Sequence, residues 1–273
     1  MDFEKLLFLS VLLLYSLGAF GILLGTLARR PALKRVAHIL TLCAFALQSL
    51  SLFMVFVAVG PSGLSMGYYM QFLAWCLILL YLAAWRWFRL PFLGLTAAPL
   101  ALLLYIFSMR LAGVRDILPE HLSGLFFGLH IWSLYISLGL LALAFGAGLL
   151  FLYTEGRIKK KAPLAGFTRD MPAISTYDKV NRAAVIGGFP LFTLGLIAGF
   201  VWAPMGQRMA ESPKVFFSLF VWFLFAVLFY QRTALGMRGR KAAIMVIAIF
   251  GIAVLSAGLD WAVNGHHSHM LMP

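Results

Sequence analysis

The sequence predicts an all-α polytopic membrane protein, with eight transmembrane helices forming a single transmembrane domain over residues 1–273 and both termini on the outer (periplasmic) side. Three observations predict it. Hydrophobic residues make up 63% of the chain and charged residues 11%, with mean hydropathy +0.95, more apolar surface than a soluble core uses. The apolar residues come in runs of the length that crosses a hydrocarbon core of roughly 30 Å at 1.5 Å per residue. The basic residues fall in alternate loops. In a soluble protein a net charge of +13 would suggest nucleic acid; here it reads as loop bias, and no nucleic-acid partner is expected.

The runs lie near residues 5–27, 36–59, 68–84, 92–110, 124–153, 183–203, 215–231 and 242–263. The first comes after the acidic start Met1-Asp2-Phe3-Glu4 and is too long for a signal-peptide core, so it is read as a retained span. His38 opens the second at the cytoplasmic side and reads as an interfacial residue. Cys43 and Cys76 stand alone in apolar runs, with no C-x-x-C or C-x-x-C-H in the chain, and read as small core hydrophobes. The first four spans carry little that is diagnostic. His130 sits about two turns into the fifth.

Between the fifth and sixth spans, residues 154–182 are basic and broken by Pro163, Gly166 and Pro172, the composition of a tether; beside a membrane it also suits anionic lipid heads. The chain is organised around the hairpin of its sixth and seventh spans. A polar approach, Tyr177-Asp178-Lys179-Val180-Asn181-Arg182, leads into Ala183–Ala203; the break APMGQRMAESPK is too short for a domain, and the seventh span begins near Val215. Gly195 and Gly199, spaced G-x-x-x-G, permit close helix approach, and Pro190 is a kink position; both read as packing.

Loops 28–35, 85–91, 154–182 and 232–241 hold 17 of the 22 Lys and Arg residues, which puts them in the cytoplasm and both termini outside. No charged residue sits mid-span, Asp260 lying near the outer end of the last, and no internal repeat is visible. Both points argue against a transporter. No nucleophile–base or metal-hydrolase constellation is present, so no enzyme is expected.

The six histidines are the remaining chemistry: His38, His121, His130, His266, His267 and His269. All but His38 lie on or near the outer face. Two neutral imidazoles from different helices in an apolar, aromatic setting suit a six-coordinate haem iron. Adventitious metal binding or plain solvation at a membrane edge is the alternative, and spacing alone leaves both open.

Four stretches in order carry a family resemblance: GLHIWSLYISLGLLALAFGAGLLFLYTEGRIKKK, YDKVNRAAVIGGFPLFTLGLIAGFVWA, SPKVFFSLFVWFLFAVLFYQRTALGMRGRKAA with its R-x-x-x-G-x-R-G-R-x-A ending, and NGHHSH. Together they resemble the cytochrome c assembly family (haem-handling membrane proteins of the CcsA, CcmC and ResC type) over about residues 120–273. The resemblance implies haem b held non-covalently at the outer face, with His130 and His267 as axial ligands of its iron and Trp132, Trp202 and Trp261 as candidate walls. It implies a bacterial inner-membrane location, action in cytochrome c maturation, and a periplasmic assembly partner.

One departure stands out. The family's tryptophan-rich W-G-x-x-W-x-W-D-P signature is replaced by PMGQRMAESPK, which keeps Pro213 and Lys214, has Ser212 where Asp would stand, and holds no tryptophan. This places the chain nearer the eight-span HemX-like branch, which implies as the alternative a regulator or scaffold that acts on a haem-biosynthesis enzyme through the cytoplasmic loops.

Overall fold

The structure is a computed structural model. It describes residues 3–60, 64–88, 90–109, 125–161, 172–202 and 213–269; the side chains of 66, 125, 202, 213, 214 and 257–269 lie outside that description. The described residues form eight α-helices and no strand: α1 (Phe3–Leu27), α2 (Pro31–Val59), α3 (Met66–Phe88), α4 (Gly94–Ser108), α5 (Leu125–Lys159), α6 (Ile174–Trp202), α7 (Pro213–Thr233) and α8 (Arg240–His269). Seven stretches, corresponding to α1–α7, are long and apolar enough to cross a membrane. The eighth expected span falls on α8, whose side chains are described only as far as residue 256.

The helices reach past the apolar runs that predict them. Polar residues carry α5 on to Lys159, and α6 starts at Ile174, nine residues before its apolar run. The expected 154–182 tether is therefore largely two helix ends, with 162–171 outside the described residues. The physical reason is that Thr154 and Asn181 are buried against neighbouring helices, so these polar turns are part of the packed bundle.

Packing divides the chain in two. Helices α1–α4 share one core, which includes Tyr15, Leu77, Ile78 and Tyr105 and takes in Ala142, Leu143 and Ala147 of α5. Helices α5–α8 share another, centred on Leu141, Val185, Phe225 and Val246. α3 packs against α5 and joins them. Small residues set the close approaches. A Cβ on Gly21 of α1 would lie 2.8 Å from the Ala37 Cβ of α2, so the two backbones meet there. The opposite face of α1, including Leu6, Leu13, Phe20 and Leu24, is exposed, as lipid-facing surface should be. α5 and α6 make the most extensive helix pair of the described residues and position the site.

Candidate functional site

α5 and α6 run antiparallel. Ser137 Oγ donates to the Gly188 carbonyl (2.7 Å), and Asn181 Nδ2 to the Ala144 carbonyl (3.2 Å). This register brings the first turns of α5 to the last turns of α6. His130 lies in the second turn of α5, roughly 8 Å along the axis from Leu125.

Its ring is seated by α6. Nδ1 lies 2.6 Å from the Gly195 carbonyl oxygen. A carbonyl only accepts, so Nδ1 carries the proton and, in the neutral ring, Nε2 carries the lone pair. The ring fits there because Gly199 has no side chain: a Cβ would stand 2.5 Å from Nδ1 and 2.6 Å from Cε1. A Cβ on Gly195 would stand 2.6 Å from Leu134 Cδ2 and 2.8 Å from Ser133 Oγ. The G-x-x-x-G pair is packing, and what it packs includes an imidazole.

α8 reaches the same end of the bundle. Phe145 of α5 stacks on Phe250 of α8 at 4.5 Å, and Gly148 lies against Ala243 and Ile247. Counting equal rises along the antiparallel pair from Phe145 and Phe250 carries the level of His130 to Gly265, and His267 lies roughly 3 Å beyond. The side chains of His267 and Trp261, like that of Trp202 at the end of α6, lie outside the described residues. So do His121, the side chains of His266 and His269, and loop residues 203–212.

Trp132 is described, and it points elsewhere. Two residues on from His130 is a rotation of about 200°, which turns its indole towards α3. There it meets Phe72 edge-on at 4.6 Å and Trp75 at 6.4 Å, and is 48% exposed. The structure therefore does not bring Trp132 and the His130 ring to one face.

At the basic end the same helix pair carries a network that spacing did not indicate. Arg232, in the last turn of α7, has a fully buried side chain. Nη1 donates to Asp178 Oδ1 (2.9 Å) and the Met237 carbonyl (3.0 Å); Nη2 donates to the Asp178 carbonyl (3.3 Å) and to Asn181 Oδ1. Asp178 Oδ1 also accepts the Gly239 N–H at 2.9 Å, and Gly239, at φ +69°, holds the left-handed conformation that turns the chain into α8. Asp178 and Asn181 belong to YDKVNR, Arg232 and Gly239 to R-x-x-x-G-x-R-G-R-x-A. Two of the motifs that mark the family resemblance are halves of one structural lock. Arg232, grouped by sequence with the loop cations, is the most deeply buried charge described.

His38 is likewise placed rather than loose at the interface. Its Nδ1 lies 2.6 Å from the Tyr81 hydroxyl and its ring stacks on Trp85 at 5.2 Å. It sits at the opposite end of the bundle from His130. Among the described residues no three His, Cys, Asp or Glu side chains converge as a metal cluster would require.

The sequence model described as "Cytochrome C assembly protein" matches residues 66–263, taking in α3, α4 and His130 and ending before His267. The cytochrome c biogenesis protein CcsA of Mesostigma viride is 26% identical over 227 residues, 73% of this chain and 74% of that protein. CcsA of Chlamydomonas reinhardtii is 29% identical over 218 residues, 73% of this chain and 58% of its own length. CcsA of Synechococcus elongatus is 36% identical over 97 residues, 34% of this chain and 30% of its own length. No solved structure matches the chain.

Proposed function

The chain belongs to the cytochrome c assembly protein family, and from that premise we propose that it acts in cytochrome c biogenesis as a haem-handling membrane protein. In this reading it lies in the bacterial inner membrane with eight spans and both termini outside, and it binds rather than transforms its cargo. Haem b is held non-covalently at the outer face, with His130 and His267 as the imidazole ligands of the iron.

The observation that carries the reading is the hydrogen bond from His130 Nδ1 to the Gly195 carbonyl. Metal-binding histidines commonly donate their second ring nitrogen to a carboxylate or backbone carbonyl, which fixes the tautomer and raises the basicity of the ligating nitrogen. Here that assigns Nε2 as the ligating atom. The residues fit the group: Gly199 makes room for the ring, the Gly195 carbonyl accepts its hydrogen bond, and the register of α5 and α8 brings the backbone at His267 near its level. Trp202 and Trp261 remain the candidate walls. Trp132, turned towards α3, supports the bundle beside the site instead.

The test is the absorption spectrum of the detergent-purified protein, oxidised and reduced, with a pyridine haemochrome assay. A b-type spectrum that weakens in both His130→Ala and His267→Ala is expected. A wild-type protein that takes up no haem, even with added hemin, overturns the two-histidine site.

The tryptophan-free loop favours a second reading, a HemX-like regulator or scaffold of haem synthesis. Deleting the gene separates the two. Loss of c-type cytochromes supports biogenesis; changed glutamyl-tRNA reductase levels with intact c-type cytochromes support regulation.

A further inference from the structure

The corner between α7 and α8 holds a surface cavity of about 490 Å³ lined by Gln231, Leu235, Met237, Arg238 and Lys241. Three features of its lining are unusual together. First, its two cations have no counter-charge among the described residues. The carboxylates described at this end are Glu155 and Asp178; Glu155 is taken by Lys159 and Arg240, and Asp178 by Arg232. Neither Arg238 nor Lys241 has a hydrogen bond or ion pair among the described residues, and both are exposed. Second, Leu235 stands 66% exposed beside them, an apolar side chain on a polar corner. Third, the corner lies directly past the apolar length of α7, which ends at Thr233, so it sits where hydrocarbon gives way to headgroups.

We propose that this cavity is a binding site for one anionic phospholipid of the leaflet at the basic end. Its phosphodiester sits between Arg238 and Lys241, with the Gln231 amide as a further donor, and an acyl chain descends past Leu235 along α7. A soluble anion leaves Leu235 in water, and a zwitterionic lipid brings its own cation to a site that already holds two. An anionic lipid answers both halves of the lining. The volume is within the range of small-ligand sites. A basic side chain at an anionic membrane surface contributes on the order of 1 kcal/mol, so removing both cations weakens binding roughly 30-fold. This inference stands apart from the haem reading, since it uses none of its residues.

The test uses the delipidated full chain in detergent, titrated with phosphatidylglycerol and monitored by native mass spectrometry, helicity being checked by circular dichroism. The expected result is one tightly retained lipid, weakened roughly 30-fold in Arg238→Gln/Lys241→Gln and unchanged in the equally cationic control Arg86→Gln/Lys160→Gln. Should the first pair fail to fold, Leu235→Asn carries the test, with weakened retention expected. Equal loss in the control pair overturns the site, because it shows diffuse charge attraction. Equal retention of phosphatidylcholine overturns it, as does displacement of the lipid by inorganic phosphate at matched concentration.

Discussion

The two ends of the α5–α6 pair are held by opposite means. At the basic end, Arg232 crosses from α7 to bind Asp178 and Asn181 of α6, and Gly239 at the head of α8 closes on the same carboxylate. At the other end the helices meet over Gly195 and Gly199, and the His130 ring is hydrogen-bonded to a backbone carbonyl. Charge-assisted bonds are strong and directional, so the first end ties α6, α7 and the start of α8 to one another through named side chains. The second end is built from what is missing. The side chain that Gly199 lacks leaves room for the imidazole, and the one that Gly195 lacks leaves room for Leu134 and Ser133. The difference teaches a division of labour: charge-assisted bonds tie the helices together at one end, and small residues packed around an imidazole join them at the other.

Breaking the lock has the largest expected effect. Arg232→Ala leaves Asp178 and Asn181 facing each other without their shared donor. Losing one partner of a buried ion pair costs about 3–5 kcal/mol, so the variant should accumulate poorly and melt at a much lower temperature in detergent. Arg232→Met with Asp178→Asn removes both charges and should recover part of that loss. If Arg232→Ala melts like the wild type, the lock carries no stability and the contrast between the two ends collapses.

Much of this division was legible in the sequence, and the missing parts share one cause. Apolar runs located all eight helices because hydrocarbon length is a one-dimensional property. They misplaced the basic ends of α5 and α6 because hydropathy cannot tell a polar residue in water from one satisfied by a neighbouring helix. Asp178 and Arg232 lie 54 positions apart, and nothing in local spacing pairs them. The motif resemblance did contain both, without saying why they recur. His130 stood out by residue type, and Gly195 and Gly199 by their interval, but that Gly199 makes room for the imidazole and the Gly195 carbonyl takes its hydrogen bond needed the register of two helices. Trp132 shows the converse. The resemblance made it a candidate wall, and a helical rotation of about 200° from His130 turns it towards Phe72 and Trp75 of α3.

Filling the slot sharpens the comparison from the other side. Gly199→Ala places a methyl 2.5 Å from His130 Nδ1, which pushes the ring off the Gly195 carbonyl. Changing a group that orients a metal ligand typically costs about 10–100-fold in affinity, whereas overpacking by one methyl costs about 1–3 kcal/mol in stability. Haem affinity should therefore fall at least tenfold in a hemin titration, with a smaller drop in melting temperature than Arg232→Ala shows. The control is Gly251→Ala, where an added Cβ has nothing within 4 Å. Equal haem loss in both variants would show that the slot has no special role.

The smallest effect is expected midway between the ends. Ser137 donates to the Gly188 carbonyl within the α5–α6 interface, with neither a charge nor the imidazole nearby in its contacts. Interhelical hydrogen bonds within membranes average about 0.6 kcal/mol, because the separated helices find other partners. The Gly188 carbonyl also keeps its place in the α6 backbone, so Ser137→Ala leaves no isolated buried acceptor. A melting-temperature change near the limit of measurement and an unaltered haem titration are expected. A loss as large as that of Arg232→Ala would mean the register is fixed along the whole interface rather than at its basic end, and the lock would be one contact among equals.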